Sequence, residues 1–278
     1  MTRGLTMSEV VLQPSVPLPP PAFLVMDTES VPDGELLART KYPDEKLSPA
    51  EAIARAQAQA REESPTGSDF IEVVYQVPIS ICVARVARDF SLEAVTCLDA
   101  PQFRTREMVQ LFWRGVNKYK KSKLVTFNGR GFDLPLLELA AFRYGCTSTD
   151  YFLHGRNRFT SHIDLLDWFA NFGALRTKGL KLDVFSKLIG KPGKMGVAGD
   201  QVYRMHLEGK TQEINDYCMC DTLDTYFVFL RTRVMTGDLT LLQEQELTLR
   251  AKEWLRNKAS ELPVLGHYLD NWGTEPST

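Results

Sequence analysis

The 278-residue chain is short of several things, and each shortage removes a class of function. Excess positive charge is the first: 33 lysines and arginines stand against 35 acids, a formal net charge of −2. A protein that coats duplex nucleic acid through its overall field needs a basic surplus, so any nucleic-acid contact here has to be local. Cysteine is sparse and unpatterned. Cys82, Cys97, Cys146, Cys218 and Cys220 are scattered and odd in number, and Cys218 and Cys220 are too close for an ordinary zinc pair. They are expected to be reduced core thiols of a soluble, cytoplasmic protein. No apolar run approaches the length of a membrane span, and Met1 to Pro21 has no charged segment leading into a long apolar one. Gly190-Lys-Pro-Gly-Lys-Met-Gly196 lacks Gly-Lys-Ser/Thr, which excludes a nucleotide P-loop. There is no internal repeat and no second hydrophobic domain, so one main domain is expected.

What is present begins with a proline-rich leader, residues 1–21, read as extended or disordered because proline cannot donate to a ladder. Ala22 to Met26 has the length and composition of a buried strand, with Asp27 and Glu29 at or near its end. Residues of about 41–68 read as an insertion lying over the domain. Val77 to Val86 and Leu92 to Leu98 read as strands joined by a hairpin at Arg88-Asp89. Thr105 to Lys121 has helical period, Leu124 to Phe127 is strand-like, and a helix is expected from near Asp133. Three strands, a helix, a strand and a helix give an α/β chain of ribonuclease H-like order, a mixed sheet with an antiparallel meander flanked by helices. Shorter helices follow near Leu165 to Phe172, Leu182 to Ile189 and Gln201 to Glu208. A long helix from Thr211 to Met235 ends the domain at 22–235, and residues 236–278 form a helical extension.

Four acids carry the chemistry. Asp27 and Glu29 are i and i+2, so on a strand both leave from one face. Asp133 closes Phe-Asn-Gly-Arg-Gly-Phe-Asp at the start of a helix, where an aspartate that merely caps the turn is an equally natural reading. Tyr217 and Asp221 are i and i+4 on the long helix and share a face, with Asp224 as a rival on much the same side. A core tyrosine beside a solvated aspartate is the plain alternative. Two magnesium or manganese ions holding a phosphodiester need hard oxygen ligands and lie roughly 4 Å apart, which requires at least three carboxylates.

Asp27-x-Glu29, Asn128-x-x-x-x-Asp133 and Tyr217-x-x-x-Asp221, in that order and context, resemble the three motifs of the DEDD 3′-5′ exonuclease superfamily, in its tyrosine branch. Phe-Asn-Gly-x-x-Phe-Asp, Lys194-Met-Gly-Val-Ala-Gly-Asp-Gln-Val202 and Asn215-Asp-Tyr-Cys218 closely resemble a stand-alone bacterial group of predicted exonucleases related to the proofreading domain of family B DNA polymerases. The resemblance spans about residues 22–235. It implies that Asp27, Glu29 and Asp221 hold the ion that activates water, that Asp27 and Asp133 hold the ion at the leaving group, and that Tyr217 orients the water. Glu29 also reaches the 3′-hydroxyl on this pattern. Thr28, Asn128, Phe132 and Lys194 are the candidate substrate contacts.

Some readings remain open from the residues alone. Phe127 and Phe132 suit either base stacking or the core. Arg176, Lys178, Lys181, Lys187, Lys191 and Lys194 suit either a mobile phosphate-contacting loop or a solvated surface. His162-Ile-Asp-Leu-Leu-Asp167 fits the His-x-x-x-x-Asp third motif of the other DEDD branch, although His162 and Asp164 equally suit a structural role or the cleft wall. The expected substrate is single-stranded DNA with a free 3′ end; RNA with the same site, or a decayed nucleic-acid-binding module, are the alternatives.

Overall fold

A computed structural model of the chain describes residues 19–157, 160–196 and 199–273. Residues 1–18 of the expected leader, and Val197-Ala198 of the Lys194–Val202 stretch, lie outside the described residues. Strands β1 (Phe23–Pro32), β2 (Gln76–Val86), β3 (Leu92–Cys97), β4 (Lys123–Thr126) and β5 (His162–Asp164) form one sheet in the order β3-β2-β1-β4-β5. The β1/β2 and β2/β3 pairs are antiparallel, while β1/β4 and β4/β5 are parallel. This is a mixed α/β sheet of the ribonuclease H-like kind, as the element order implied.

β1 does not stop at Met26. It continues through Asp27-Thr28-Glu29 to Pro32 because β2 supplies a partner for nearly every residue, with a register shift between Glu29 and Ser30. The alternation of strand side chains then sorts β1 into two faces. Val25 packs in a core with the long helix, while Leu24 and Met26 pack with the two helices on the other side. Those are α3 (Thr105–Lys118) and α4 (Asp133–Tyr144), which follow α1 (Gly34–Thr40) and α2 (Pro49–Glu63) in the chain. The segment between β1 and β2 has its own small core, in which Leu37, Tyr42, Ile53 and Ile71 meet. α2 begins at a reciprocal Ser48/Glu51 capping box, a device worth about 1 kcal/mol.

Beyond β5 come α5 (Leu165–Phe169), α6 (Leu182–Leu188), α7 (Val202–Leu207) and the long helix α8 (Thr211–Met235). α8 is buried on nearly every side between Ile214 and Thr232. It crosses β1 and β2 on one face and receives α9 (Leu241–Lys258) and α10 (Pro263–Asp270) on the other, so Leu247, Leu255, Leu265 and Tyr268 share its core. Among the described residues no helix is long and apolar enough to cross a membrane.

One expectation is corrected here. Cys82 and Cys97 are joined as a disulfide between β2 and β3, not held as separate thiols. The register sets them directly opposite one another with Cα atoms 4.2 Å apart, within reach of a bridge. Cys146, Cys218 and Cys220 are free.

Candidate active site

Beyond Val25 the β1 edge is open, because β4 pairs only with Phe23, Leu24 and Val25. The acids gather at that opening. Ligand oxygens of Asp27, Glu29 and Asp221 lie within 4.8 Å of one another. Asp27 and Glu29 come from the α8 face of β1, and Asp221 comes from α8 itself. Asp133 arrives from the opposite side, at the first position of α4, where Thr28 Oγ1 donates to its Oδ1 at 2.6 Å. Thr28, expected to contact substrate, is buried and has its hydroxyl engaged in aiming Asp133.

Packing four carboxylates into one buried corner has an electrostatic consequence. Burial holds the Asp27 carboxyl well above its usual range, and Asp133, Glu29 and Asp221 push it the same way. Glu29 is raised by burial, then by Asp221 and Asp133, while the Lys194 ammonium pulls back. Burial pushes Asp133 up to about 7 against the Thr28 hydrogen bond, and Asp221 up to about 6 against the Tyr217 hydroxyl and Lys194. Asp27 Oδ2 is buried with no hydrogen-bond partner among the described residues. An orphaned carboxylate oxygen inside an all-oxygen cluster is what a hard divalent cation satisfies, so the residues present fit magnesium or manganese.

The remaining candidates have definite places. Tyr217 is nearly buried, and its phenol is held above its usual range by burial and then by Asp221. Lys194 is exposed, with Nζ 5.8 Å from the centre of the Tyr217 ring. Phe132 is half-buried and meets the exposed Phe70 edge-on at 5.8 Å, whereas Phe127 packs on Phe185 in the core. Asn128 takes the left-handed conformation (φ 68°), with its side-chain oxygen over Gly131. Asp224 is turned away from the cluster: Tyr268 Oη donates to it at 2.7 Å. The basic run is not one surface. Lys187 pairs with Asp183, and Lys191 is 2% exposed, so its own ammonium is open neither to a phosphate nor to solvent.

Sequence reasoning passed over Asp164 as an organiser of the second motif. From β5 its carboxylate accepts the Asn128 and Arg130 amides at 2.9 and 2.8 Å while capping α5. The turn is closed further by the Gly129 amide, which donates to Thr126 Oγ1 at 3.1 Å. A Cβ at position 129 would collide with the Thr126 side chain, which makes glycine necessary there. The legible signal was Asp164-Leu-Leu-Asp167 itself, an aspartate three residues ahead of another acid at a helix start.

A family model described as a predicted 3′-5′ exonuclease related to the exonuclease domain of PolB matches residues 68–272. The chain belongs to this exonuclease family. Nothing among curated proteins matches it. Asp133, Lys194, Tyr217 and Asp221 fall inside the matched residues, as do α9 and α10, which the resemblance had left outside. Asp27 and Glu29 precede the match and join the family's portion of the site through the β1/β2 pairing. The rival histidine motif of the exonuclease superfamily finds no geometric support: His162 Nε2 is 2.8 Å from Thr126 Oγ1 inside the sheet, and burial lowers its pKa to about 3.

A test separates the two third motifs. His162→Leu is expected to leave the pH dependence of catalysis unchanged and to cost about 1–3 kcal/mol of stability, because Thr126 loses its buried partner. Urea unfolding alongside a pH–rate profile reads both.

Proposed function

We propose that the chain is a metal-dependent 3′-5′ exonuclease that removes nucleoside 5′-monophosphates from the 3′ end of single-stranded DNA. The observation that carries this is the convergence of the Asp27, Glu29 and Asp221 oxygens within 4.8 Å, beside an orphaned Asp27 oxygen. Asp27, Glu29 and Asp221 would hold one divalent ion, and Asp27 and Asp133 a second. Bound magnesium or manganese supplies a water of lowered pKa and neutralises charge on the attacking and leaving oxygens.

The chain's own groups do the rest. Tyr217 keeps its proton at every working pH, since burial and Asp221 raise its pKa. It therefore acts as a donor that orients the attacking water and not as the base that deprotonates it. Lys194 brings a positive charge that moderates Glu29 and Asp221 and would meet the scissile phosphate. Thr28 keeps Asp133 aimed. Phe132 offers a ring for the terminal base, and Asn128 lies on the same turn.

Tyr217→Phe is expected to lower kcat about 10- to 100-fold while leaving manganese binding by calorimetry unchanged, since the phenol is not a ligand. The reading as a whole is tested by product chemistry. Single-stranded DNA digested with magnesium should yield nucleoside 5′-monophosphates, faster than a matched RNA does. Release of 3′-monophosphates, or faster RNA digestion, would contradict it.

A further inference from the structure

The C-terminal helices reach the loop that carries Lys194. Asp224 on α8 accepts the Tyr268 hydroxyl of α10 at 2.7 Å. In the loop itself the Lys191 ammonium lies between aromatic rings, 5.5 Å from Phe227 of α8 and 5.0 Å from Trp272. Lys252 of α9 sits 4.3 Å from the same Trp272 ring, so two cations share one indole. Backbone approaches backbone as well: a Cβ on Gly273 would stand 3.4 Å from the Gly190 carbonyl oxygen. At the far end of the loop the Lys194 amide donates to Asp183 Oδ1 at 2.8 Å.

We propose that the segment Tyr268–Gly273 is a positioning element for Lys194: by clamping Gly190 and Lys191 against α8 it keeps the Lys194 ammonium over the Tyr217 ring at the carboxylate corner. This rests on the proposed role of Lys194 at the scissile phosphate. A lysine on an exposed loop loses rotamer and backbone freedom when it is fixed, and a loop pre-ordered before substrate arrives spares that loss during binding. The clamp is well suited to the task. A cation on an aromatic face is worth up to about 2 kcal/mol when desolvated, and Lys191 is 2% exposed. Trp272 and Tyr268 are therefore positioning residues that act through Lys194 without touching the reacting atoms.

The test is a double-mutant cycle on the full chain. Lys194→Met, Trp272→Leu and the double variant are assayed for kcat and KM on a single-stranded DNA oligomer with magnesium. Trp272→Leu should lower kcat/KM roughly tenfold, as loss of outer-layer support does in metal sites, and Trp272→Phe should recover most of that loss. In the Lys194→Met background, Trp272→Leu should lower it no further. Tyr268→Phe, which removes one oxygen and opens no cavity, carries the same comparison should Trp272→Leu not fold. Undiminished kcat/KM in Trp272→Leu and Tyr268→Phe while Lys194→Met is impaired would overturn the proposal, as would effects that multiply in the double variant. A fully active Lys194→Met would remove the underlying role of Lys194 and this proposal with it, whereas inactivity of the wild type would instead overturn the exonuclease reading.

Discussion

Asp27→Asn is expected to end nucleotide release and, in the absence of divalent metal, to make the folded chain more stable at pH 8. The two effects share one cause. Asp27 is half-buried, and desolvation together with three neighbouring acids raises its pKa, so its charge is paid for in stability wherever no cation offsets it. Asparagine keeps the shape, removes the repulsion and offers amide protons to the surrounding carboxylates. Activity should fall more than about 100-fold, since even the outer partners of metal ligands cost 10–100-fold when lost. Urea midpoints of the two proteins in chelator check the stability half. A lower midpoint for Asp27→Asn at pH 8 would show that Asp27 is structurally required and not electrostatically strained. Active sites that trade stability for function behave in the expected way.

Raising the pH of the metal-free protein from about 4 to 7 should destabilise the carboxylate corner, and divalent metal should reverse the loss. The sign follows from proton counting. Asp133 titrates at about 7 in the fold, against about 3.9 unfolded, so between those values the unfolded chain binds fewer protons and stability falls as pH rises. Asp133 alone would account for a loss on the order of 4 kcal/mol above pH 7 as an upper bound, and Asp221, raised to about 6, adds in the same direction. His162 opposes them: its pKa falls from 6.5 to about 3 on folding, so its contribution grows as pH rises through that window. The raw pH profile therefore mixes opposing slopes. The difference between melting temperatures with and without manganese cancels His162 and isolates the acids. That difference should be small near pH 4.5 and large at pH 8; a difference independent of pH would mean that the ion does not sit on these carboxylates.

Much of this was legible in the chain, for physical reasons that can be named. α8 runs over the expected Thr211–Met235, a stretch without proline or glycine to break it. The meander was legible from two β-rich runs around one turn. β5 was missed because three residues, His162-Ile-Asp164, carry no usable period and pair only with β4. α10 was missed because its helical signal is short and begins at Pro263, which reads as a break unless it is seen as a first-turn residue. The end of β1 was placed too early: the apolar run stops at Met26, but pairing with β2 carries the strand on to Pro32. At the site, the acids that the fold brings together could be named from the sequence, but Thr28's hold on Asp133 and Asp164's hold on the turn could not. Both span more than thirty residues of sequence, across which no local pattern reaches.

The most direct measurement follows a 5′-labelled single-stranded DNA oligonucleotide on a sequencing gel, with magnesium or manganese, for the wild type, Asp27→Ala and Asp221→Ala. The wild type should shorten the strand one nucleotide at a time from its 3′ end, chelator should stop it, and both variants should leave the strand intact. Shortening that persists unchanged in either variant, or a wild type that leaves the strand whole in both metals, would contradict the assignment of these carboxylates to phosphodiester hydrolysis.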